Sequence, residues 1–229
     1  MAGGIGSRFW PFSTHNKPKQ FLDILGTGRS LIQLTFDRLS KVCPSNQIFI
    51  VTNGEYEQLI SDQLPEIPKD NVLFEPVRRN TAPCVAYGCY KIHDQNPNAN
   101  ILVAPSDHLI TKEEEYLRTI LHAYKAASEN DILITLGIKP TRPDTGYGYI
   151  QATDDKLNEN SEILKVKTFT EKPNQEIANV FYESGDFSWN SGMFIWSSKS
   201  IVKAFEKNMR KLHKLFCLLY TSPSPRDLH

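Results

Sequence analysis

The sequence predicts an α/β fold built on an open, mainly parallel sheet, because short apolar runs alternate with amphipathic stretches. Continuous apolar runs rich in β-branched residues are typical of strands buried on both faces, as in parallel sheets. Four such runs occur, at residues 48–52, 72–74, 101–104 and 132–136. In such a sheet, ligands bind beyond the carboxyl ends of the strands.

The stretches between these runs carry helix-start signals. Ser30 with Gln33, and Thr111 with Glu114, each fit a capping box, in which a hydroxyl and a carboxyl or amide satisfy the first backbone N–H groups. We therefore predict that a helix begins after each of these positions.

The pattern changes after Gly137. Strands are predicted at 147–151 and 163–169, with a polar hairpin or excursion between them. A helix over 175–183, an apolar segment over 189–196 and a helix from Ser198 follow. No repeat or linker interrupts the chain, so the sequence predicts one domain.

Composition excludes several classes of protein. The 229 residues carry 26 Lys plus Arg and 26 Asp plus Glu, and this zero balance argues against nucleic acid or an anionic membrane as partner. No apolar run reaches the roughly 18 residues of a membrane span, and the start has no signal-peptide pattern. We expect a cytoplasmic protein. Its four cysteines form no CxxC pair, so we expect free, partly buried thiols and no zinc site.

The strongest chemical signal is the glycine loop over residues 2–8, followed by Lys17-Pro-Lys-Gln-Phe-Leu22. Glycines allow a backbone to approach a polyphosphate closely, and Arg8 and Lys19 add donors for phosphate oxygens. The spacing fits neither a Walker loop nor a good dinucleotide fingerprint. An ordinary turn is the alternative for the glycines alone, but the added Arg and Lys favour a phosphate site.

Three further motifs place polar residues beside predicted strands. Asn80 and Thr81 follow the second strand, where they either cap a helix that has Pro83 in its first turn or meet a ligand. Asp107 follows the third strand and is placed either to bind a divalent cation or to cap a helix.

The third motif pairs Glu171-Lys-Pro173 with Trp189-Asn-Ser-Gly-Met193, polar islands that suit a sugar site. A surface Glu–Lys pair and a bulge at Gly192 are the plainer alternatives.

Together these motifs resemble the sugar-nucleotide pyrophosphorylases, and within them the guanylyltransferases that use mannose 1-phosphate. The resemblance covers about residues 1–205 and rests on seven motifs in one order: AGGIGSRFWP, NKPKQFL, EPVRRNTAP, APSDH, TGYGYI, FTEKP and WNSGMFIW. It implies a Rossmann-like nucleotidyltransferase (GT-A-like) three-layer fold with a mixed, mainly parallel sheet. It also implies that GTP and mannose 1-phosphate give GDP-mannose and pyrophosphate, with Mg²⁺ as cofactor.

The resemblance also implies roles for individual residues. Arg8, Lys19 and Asp107 would be catalytic, and Asp107 would bind Mg²⁺. The nucleotide would be held by Ala2, Gly3, Gly4, Gly6, Arg8, Asn80 and Thr81. The sugar phosphate would be held by Gly146, Glu171, Lys172 and Asn190. The substrates would be small molecules, with neither nucleic acid nor membrane as partner, and a homodimer stays open.

The two ends depart from the family's pattern. Relatives have a strand that runs into the glycine loop, and they continue past residue 229, where a second Mg²⁺-binding carboxylate is expected. We expect residues 1–214 to be a catalytic domain lacking its first strand and C-terminal part, and residues 215–229 to be a non-native tail.

Three alternatives stay open at this point. One is transfer to another sugar 1-phosphate or from another nucleotide. Another is a glycosyltransferase, which needs an Asp-x-Asp motif where this chain has Pro105-Ser-Asp-His108. The last is a truncated chain that binds a sugar nucleotide without turnover.

Overall fold

The computed structural model describes residues 1–4, 9–75, 81–158 and 161–221, and of residues 219–221 only the backbone. The chain divides into two compact units. Unit 1 comprises Met1–Leu133 and Trp196–His229, and unit 2 comprises Ile134–Ile195. In the described part of the chain, no helix is both long and apolar enough to cross a membrane.

The elements alternate as the sequence predicts. In chain order the strands are β1 Ile50–Asn53, β2 Val72–Glu75, β3 Asn100–Val103, β4 Leu133–Ile138, β5 Tyr149–Lys156, β6 Leu164–Thr170 and β7 Phe187–Ser197. The helices are α1 Leu31–Leu39, α2 Glu57–Gln63, α3 Thr81–Gln95, α4 Glu113–Glu129, α5 Gln175–Ser184, α6 Ser198–Asn208 and α7 Arg210–Thr221. The predicted α/β class is confirmed.

In unit 1, β1 and β2 form a parallel pair, with Ile50 opposite Val72 and Asn53 opposite Glu75. Residues 50–52 of β1 are buried, as predicted for a strand covered on both faces. The same prediction fails in part for the run at 132–136, where Ile134 is buried but Leu133 is 50% exposed. From Ile134 onward β4 belongs to unit 2, where it pairs with β7. The pairing of β7 with β5 is antiparallel, and antiparallel sheets commonly keep one face in water.

One of the two predicted capping boxes is confirmed. The Ser30 side chain accepts from the Gln33 backbone N–H while the Gln33 side chain accepts from the Ser30 N–H, so α1 begins as predicted. The box at Thr111 is wrong, because α4 begins at Glu113 with Lys112 in the cap position and no side-chain cap. Three glutamates in its first turn favour the helix start by their interaction with the helix dipole instead.

Unit 2 is built on antiparallel pairs. β5 pairs with β6, with Tyr149 opposite Thr170, so the polar segment between the predicted strands lies in a hairpin. β5 also pairs with β7, with Tyr149 opposite Trp189. Tyr149, Ala178 and Trp189 form the buried centre of this unit, which ties α5 to the sheet.

The start of the chain lies between two strand ends of unit 1. The Met1 backbone nitrogen donates to the Ala104 carbonyl at 2.9 Å, and the Ala2 N–H donates to the Val51 carbonyl at 2.8 Å. The glycines that follow therefore start at the carboxyl ends of β1 and β3. Beside them, a cavity of about 750 Å³ is lined mainly by apolar residues of β1, β3, α1 and α3.

The C-terminal helices of unit 1 carry the basic residues. Five of them are exposed, as expected of charged side chains on a helix face in contact with water: Lys203, Lys207, Arg210, Lys211 and Lys214. α7 includes the first part of the segment predicted to be a non-native tail, and there Phe216 stacks on Tyr90 of α3 with ring centroids 5.3 Å apart. That origin of residues 215–229 stays a prediction.

Candidate active site

The glycine loop begins on a firmly held backbone. Ala2 is buried, and its carbonyl accepts from the Gln20 amide at 2.8 Å and from the Thr52 hydroxyl at 3.0 Å. The Gln20 amide also donates to the Gly4 carbonyl at 3.0 Å. At Gly3, an added Cβ would lie 3.5 Å from a carboxylate oxygen of Glu75. The first residues of the loop are therefore fixed before the chain reaches Gly6 and Arg8, which lie outside the described residues.

Lys19 and Asp107 lie together at the carboxyl end of β3. Lys19 Nζ is 3.3 Å from Asp107 Oδ2 and 3.3 Å from the Asp107 carbonyl oxygen. Lys19 starts a single 3-10 turn, Lys19–Phe21, whose buried Phe21 ring packs 5.6 Å from the ring of Tyr56. The Lys19 ammonium also lies 4.8 Å from the centre of the Phe9 ring. The structure thus brings together two of the three residues predicted to be catalytic.

The charged pair Lys19 and Asp107 is partly exposed, and the neighbouring His108 is mostly buried. The Asp107 side chain is 39% exposed and that of Lys19 is 22% exposed, so both charges stay within reach of solvent or a ligand. Burial lowers the pKa of His108 below its usual value, and the nearby Lys19 and Arg38 cations lower it further against the opposing effect of Asp107. His108 is therefore a neutral imidazole at neutral pH.

A magnesium ion fits this corner only as a shared ion. Within the described residues, no group of three His, Cys, Asp or Glu side chains could enclose a metal. Mg²⁺ in nucleotide enzymes is often held by one or two carboxylates plus substrate phosphates and water. Asp107 offers one carboxylate, with Lys19 on Oδ2, so the residues fit an ion that the substrate itself helps to hold.

The residues predicted for the nucleotide pocket are placed only in part. Asn80 lies outside the described residues. Thr81 is the first residue of α3, so the prediction that it caps this helix is wrong, while Pro83 occupies the first turn as predicted.

In unit 2, Glu171 and Lys172 pair with each other. Lys172 Nζ lies 3.0 Å from Glu171 Oε1, and both side chains are more than half exposed. The Glu171 carboxylate also lies against Gly148, where an added Cβ would be 2.7 Å from Oε2. The surface Glu–Lys pair, the plainer alternative, is therefore present. The Glu171 carboxylate can lie here because Gly148 has no side chain in its way.

Asn190 is held in one orientation by three contacts. Its side-chain oxygen accepts from the Gly192 N–H at 3.1 Å and from the Thr135 hydroxyl at 3.0 Å. Its backbone N–H donates to the Gly148 carbonyl at 2.7 Å. Because a backbone N–H can only donate, the Asn190 oxygen faces Gly192 and the Nδ2 group faces the other way. Gly192 adopts a positive φ of 72°, which favours glycine at this point of β7.

Gly146 is engaged with its own loop. Its N–H donates to Asp144 Oδ1 at 2.8 Å, and Arg142 holds Oδ2 of the same carboxylate. Arg142 also lies 5.4 Å from the Trp189 ring centre, and Tyr147 packs 4.9 Å from that ring. The Trp189 indole nitrogen is buried and has no hydrogen-bond partner among the described residues.

Sequence reasoning missed several residues that shape these places: Gln20, Thr52, Thr135 and Gly148. Thr52 and Thr135 are polar residues inside apolar strand runs, and that anomaly was a usable signal. Gln20 belongs to the Lys17–Leu22 motif, but its contact with Ala2 spans 18 residues, and nothing local predicts it.

Comparison with known proteins places this geometry in a family. A family model described as nucleotidyl transferase matches residues 1–223. The chain belongs to this nucleotidyl transferase family.

Curated relatives of the chain carry a more specific name. A mannose-1-phosphate guanylyltransferase of Salmonella montevideo is 41% identical over 208 residues, which are 89% of this chain and 43% of that protein. One from Escherichia coli is 36% identical over 231 residues, or 93% of this chain and 49% of that protein. This nucleotidyl transferase chain therefore spans about half the length of the curated relatives it matches.

Solved structures agree on the fold. One described as a mannose-1-phosphate geranyltransferase from Thermus thermophilus has a TM-score of 0.87 and 29% identity, covering 98% of this chain and 64% of that one. A putative glucose-1-phosphate thymidylyltransferase from Bacillus anthracis has a TM-score of 0.60 at 17% identity, covering 96% of this chain and 80% of that one, which supports the fold alone. The mixed nucleotidyl transferase fold is confirmed.

Proposed function

We propose that this chain is the nucleotidyl transfer part of a mannose-1-phosphate guanylyltransferase. A phosphate oxygen of mannose 1-phosphate attacks the α-phosphorus of GTP, and the bond between that phosphorus and the bridging oxygen to the β-phosphate breaks. GDP-mannose and pyrophosphate are the products. The observation that carries the proposal is the 41% identity to a guanylyltransferase over 89% of this chain.

No protein nucleophile takes part in this reaction, so catalysis consists of positioning and charge stabilisation. In unit 1, the Lys19 ammonium supplies positive charge for phosphate oxygens, and its contacts with Asp107 fix where that charge lies. The backbone of Gly3 and Gly4, with Gly6 and Arg8, holds the triphosphate. Asn80 and Thr81 are assigned to the guanine.

Asp107 is assigned to Mg²⁺, together with the substrate phosphates. When bound there, the ion would neutralise phosphate charge. Lys19 contacts Oδ2 of the Asp107 carboxylate. We therefore assign the other oxygen, Oδ1, to the ion.

In unit 2, the sugar phosphate is assigned to polar groups around Gly148. The Asn190 Nδ2 group donates to a sugar hydroxyl, since its oxygen is already occupied by Thr135 and Gly192. The Glu171 carboxylate accepts hydrogen bonds from sugar hydroxyls. Lys172, which pairs with Glu171 in this structure, pairs with the phosphate of the sugar when substrate binds. Gly146 contributes through the loop that Asp144 holds.

The test is pyrophosphate release by the full chain with each of four nucleoside triphosphates against mannose, glucose and N-acetylglucosamine 1-phosphates, with and without Mg²⁺. We expect the highest kcat/KM with GTP and mannose 1-phosphate, and only with Mg²⁺ present. A preference for UTP or dTTP would contradict the specificity. Binding of GDP-mannose by calorimetry without any turnover would favour a non-catalytic sugar-nucleotide-binding chain.

A further inference from the structure

The Gln20 side chain is a buried polar group whose amide nitrogen donates to the backbone at the start of the glycine loop. It is 3% exposed, and its amide nitrogen donates to the carbonyls of Ala2 and Gly4 at 2.8 and 3.0 Å. Carbonyl oxygens only accept, so the two N–H bonds of the Gln20 amide are aimed at these two oxygens. One side chain therefore holds two carbonyls on either side of Gly3.

The peptide between Ala2 and Gly3 is held from a second direction as well. The Thr52 hydroxyl, which is fully buried, donates to the same Ala2 carbonyl at 3.0 Å. A trans peptide is planar, and its C=O and N–H groups point in opposite directions. Because the Ala2 carbonyl points at Gln20 and Thr52, the Gly3 N–H points away from them.

Gln20 itself is held by the turn that also carries Lys19. This turn is fixed by the buried Phe21 ring and by the Gln63 amide, which donates to the Phe21 carbonyl at 3.2 Å. Lys19 reaches Asp107 from the same turn. A single short segment thus sets both the direction of the loop's backbone amides and the place of the cation.

We propose that Gln20 is a positioning residue that turns the backbone N–H of Gly3 toward the phosphates of a nucleoside triphosphate. This inference rests on the proposed function. Backbone N–H groups bind phosphate oxygens best when their direction is fixed in advance, since no reorganisation is then needed on binding. Gln20 acts through the loop and does not itself touch the substrate.

The variants Gln20→Met and Gln20→Glu test the proposal. Met keeps the length of the side chain without a donor, and Glu places oxygens where the two N–H bonds were. We expect the KM for GTP to rise at least tenfold in both, while the KM for mannose 1-phosphate stays within twofold. Gln58→Met is the control, since it removes a side-chain amide of the same kind whose exposed hydrogen bond goes to Asp62 at 2.7 Å, and its KM for GTP should stay within twofold.

A second measurement needs no variant. Hydrogen exchange at the Gly3 amide of the wild-type chain should slow at least tenfold on adding GTP and stay unchanged on adding mannose 1-phosphate. An unchanged GTP KM in the folded Gln20 variants would overturn the role of Gln20. A Gly3 amide whose exchange does not slow on adding GTP would also overturn the role of Gln20. This measurement decides on that role even if both variants fail to fold. Absence of turnover by the wild-type chain would instead contradict the proposed function, with the exchange measurement still deciding on Gln20.

Discussion

The Thr135 hydroxyl lies 3.0 Å from Asn190 Oδ1 and supports the amide orientation that the Gly192 N–H sets. The two residues are 55 positions apart, on β4 and β7, so the sheet of unit 2 creates the contact. With the oxygen occupied by Thr135 and Gly192, Asn190 offers a donor and not an acceptor. A sugar hydroxyl that accepts a hydrogen bond is the matching partner.

We expect Thr135→Val to raise the KM for mannose 1-phosphate about two- to tenfold, the value of one net hydrogen bond. The valine keeps the shape of the side chain but leaves the Asn190 side-chain oxygen with the Gly192 N–H and without the hydroxyl. Thr135→Ser should restore the wild-type value. Thr153→Val, which removes an exposed hydroxyl on β5, is the control and should have no effect. Equal KM values in Thr135→Val and the wild type would contradict the role of Thr135.

Asp107→Asn should lower kcat/KM by about 100- to 1000-fold, as expected for the loss of one preorganised charge. The amide keeps the shape of the side chain and the backbone contact with Lys19, so thermal stability should change little. Asp131→Asn, which removes a carboxylate paired with Lys203, is the matched control. Titrating Mg²⁺ at fixed GTP gives the decisive comparison. An Asp107→Asn variant with the same Mg²⁺ dependence as the wild type would refute the assignment of the metal.

Gly148→Ala should move the Glu171 carboxylate. The added Cβ would lie 2.7 Å from Glu171 Oε2 and 2.9 Å from the Phe169 ring. Glu171 can swing away at little cost, but the Phe169 ring must shift as well, so we expect a stability loss of about 1–3 kcal/mol, as for other overpacked sites. The displaced carboxylate should also raise the KM for mannose 1-phosphate. Gly54→Ala, where nothing lies within 4 Å of the new Cβ, is the control. An unchanged KM would show that the position of Glu171 does not matter.

Two thiols of α3 should resist alkylation while the chain is folded. Burial raises the pKa of Cys84 to about 11 and that of Cys89 to about 12, from an ordinary value of 9.0. Iodoacetamide at pH 8 should label both slowly in the native chain and rapidly in denaturant, as peptide mass spectrometry can show. Rapid labelling of both native thiols would contradict their burial.

The same shifts predict how stability depends on pH. Above pH 9.0 the unfolded chain loses thiol protons that the folded chain retains, so the free energy of unfolding should fall as pH rises from about 9 toward 12. Cys89→Ala should weaken this dependence in urea titrations. An identical slope in that variant would mean that Cys89 contributes nothing to it.

The sequence was sufficient for features that depend on local patterns. The Ser30 capping box and the strand run at β1 follow from neighbouring residues, and both are confirmed. The box at Thr111 was wrong because a local match does not say which of several polar residues will cap, and Lys112 takes that position.

Contacts between residues far apart in the chain could not be predicted from local patterns. Lys19 and Asp107 are 88 positions apart, and only the resemblance of several motifs in one order assigned them to the same reaction. Gln20 and Thr135 were missed because their partners are backbone and side-chain oxygens that the fold brings near them.

Transfer of the α-phosphate is the central claim, and labelled GTP tests it most directly. The chain is incubated with Mg²⁺, mannose 1-phosphate and GTP labelled at either the α- or the γ-phosphorus, and the products are separated. We predict label from the α-position in GDP-mannose and label from the γ-position in pyrophosphate alone. Label from the γ-position in a sugar phosphate, or no labelled sugar nucleotide from α-labelled GTP, would contradict the account.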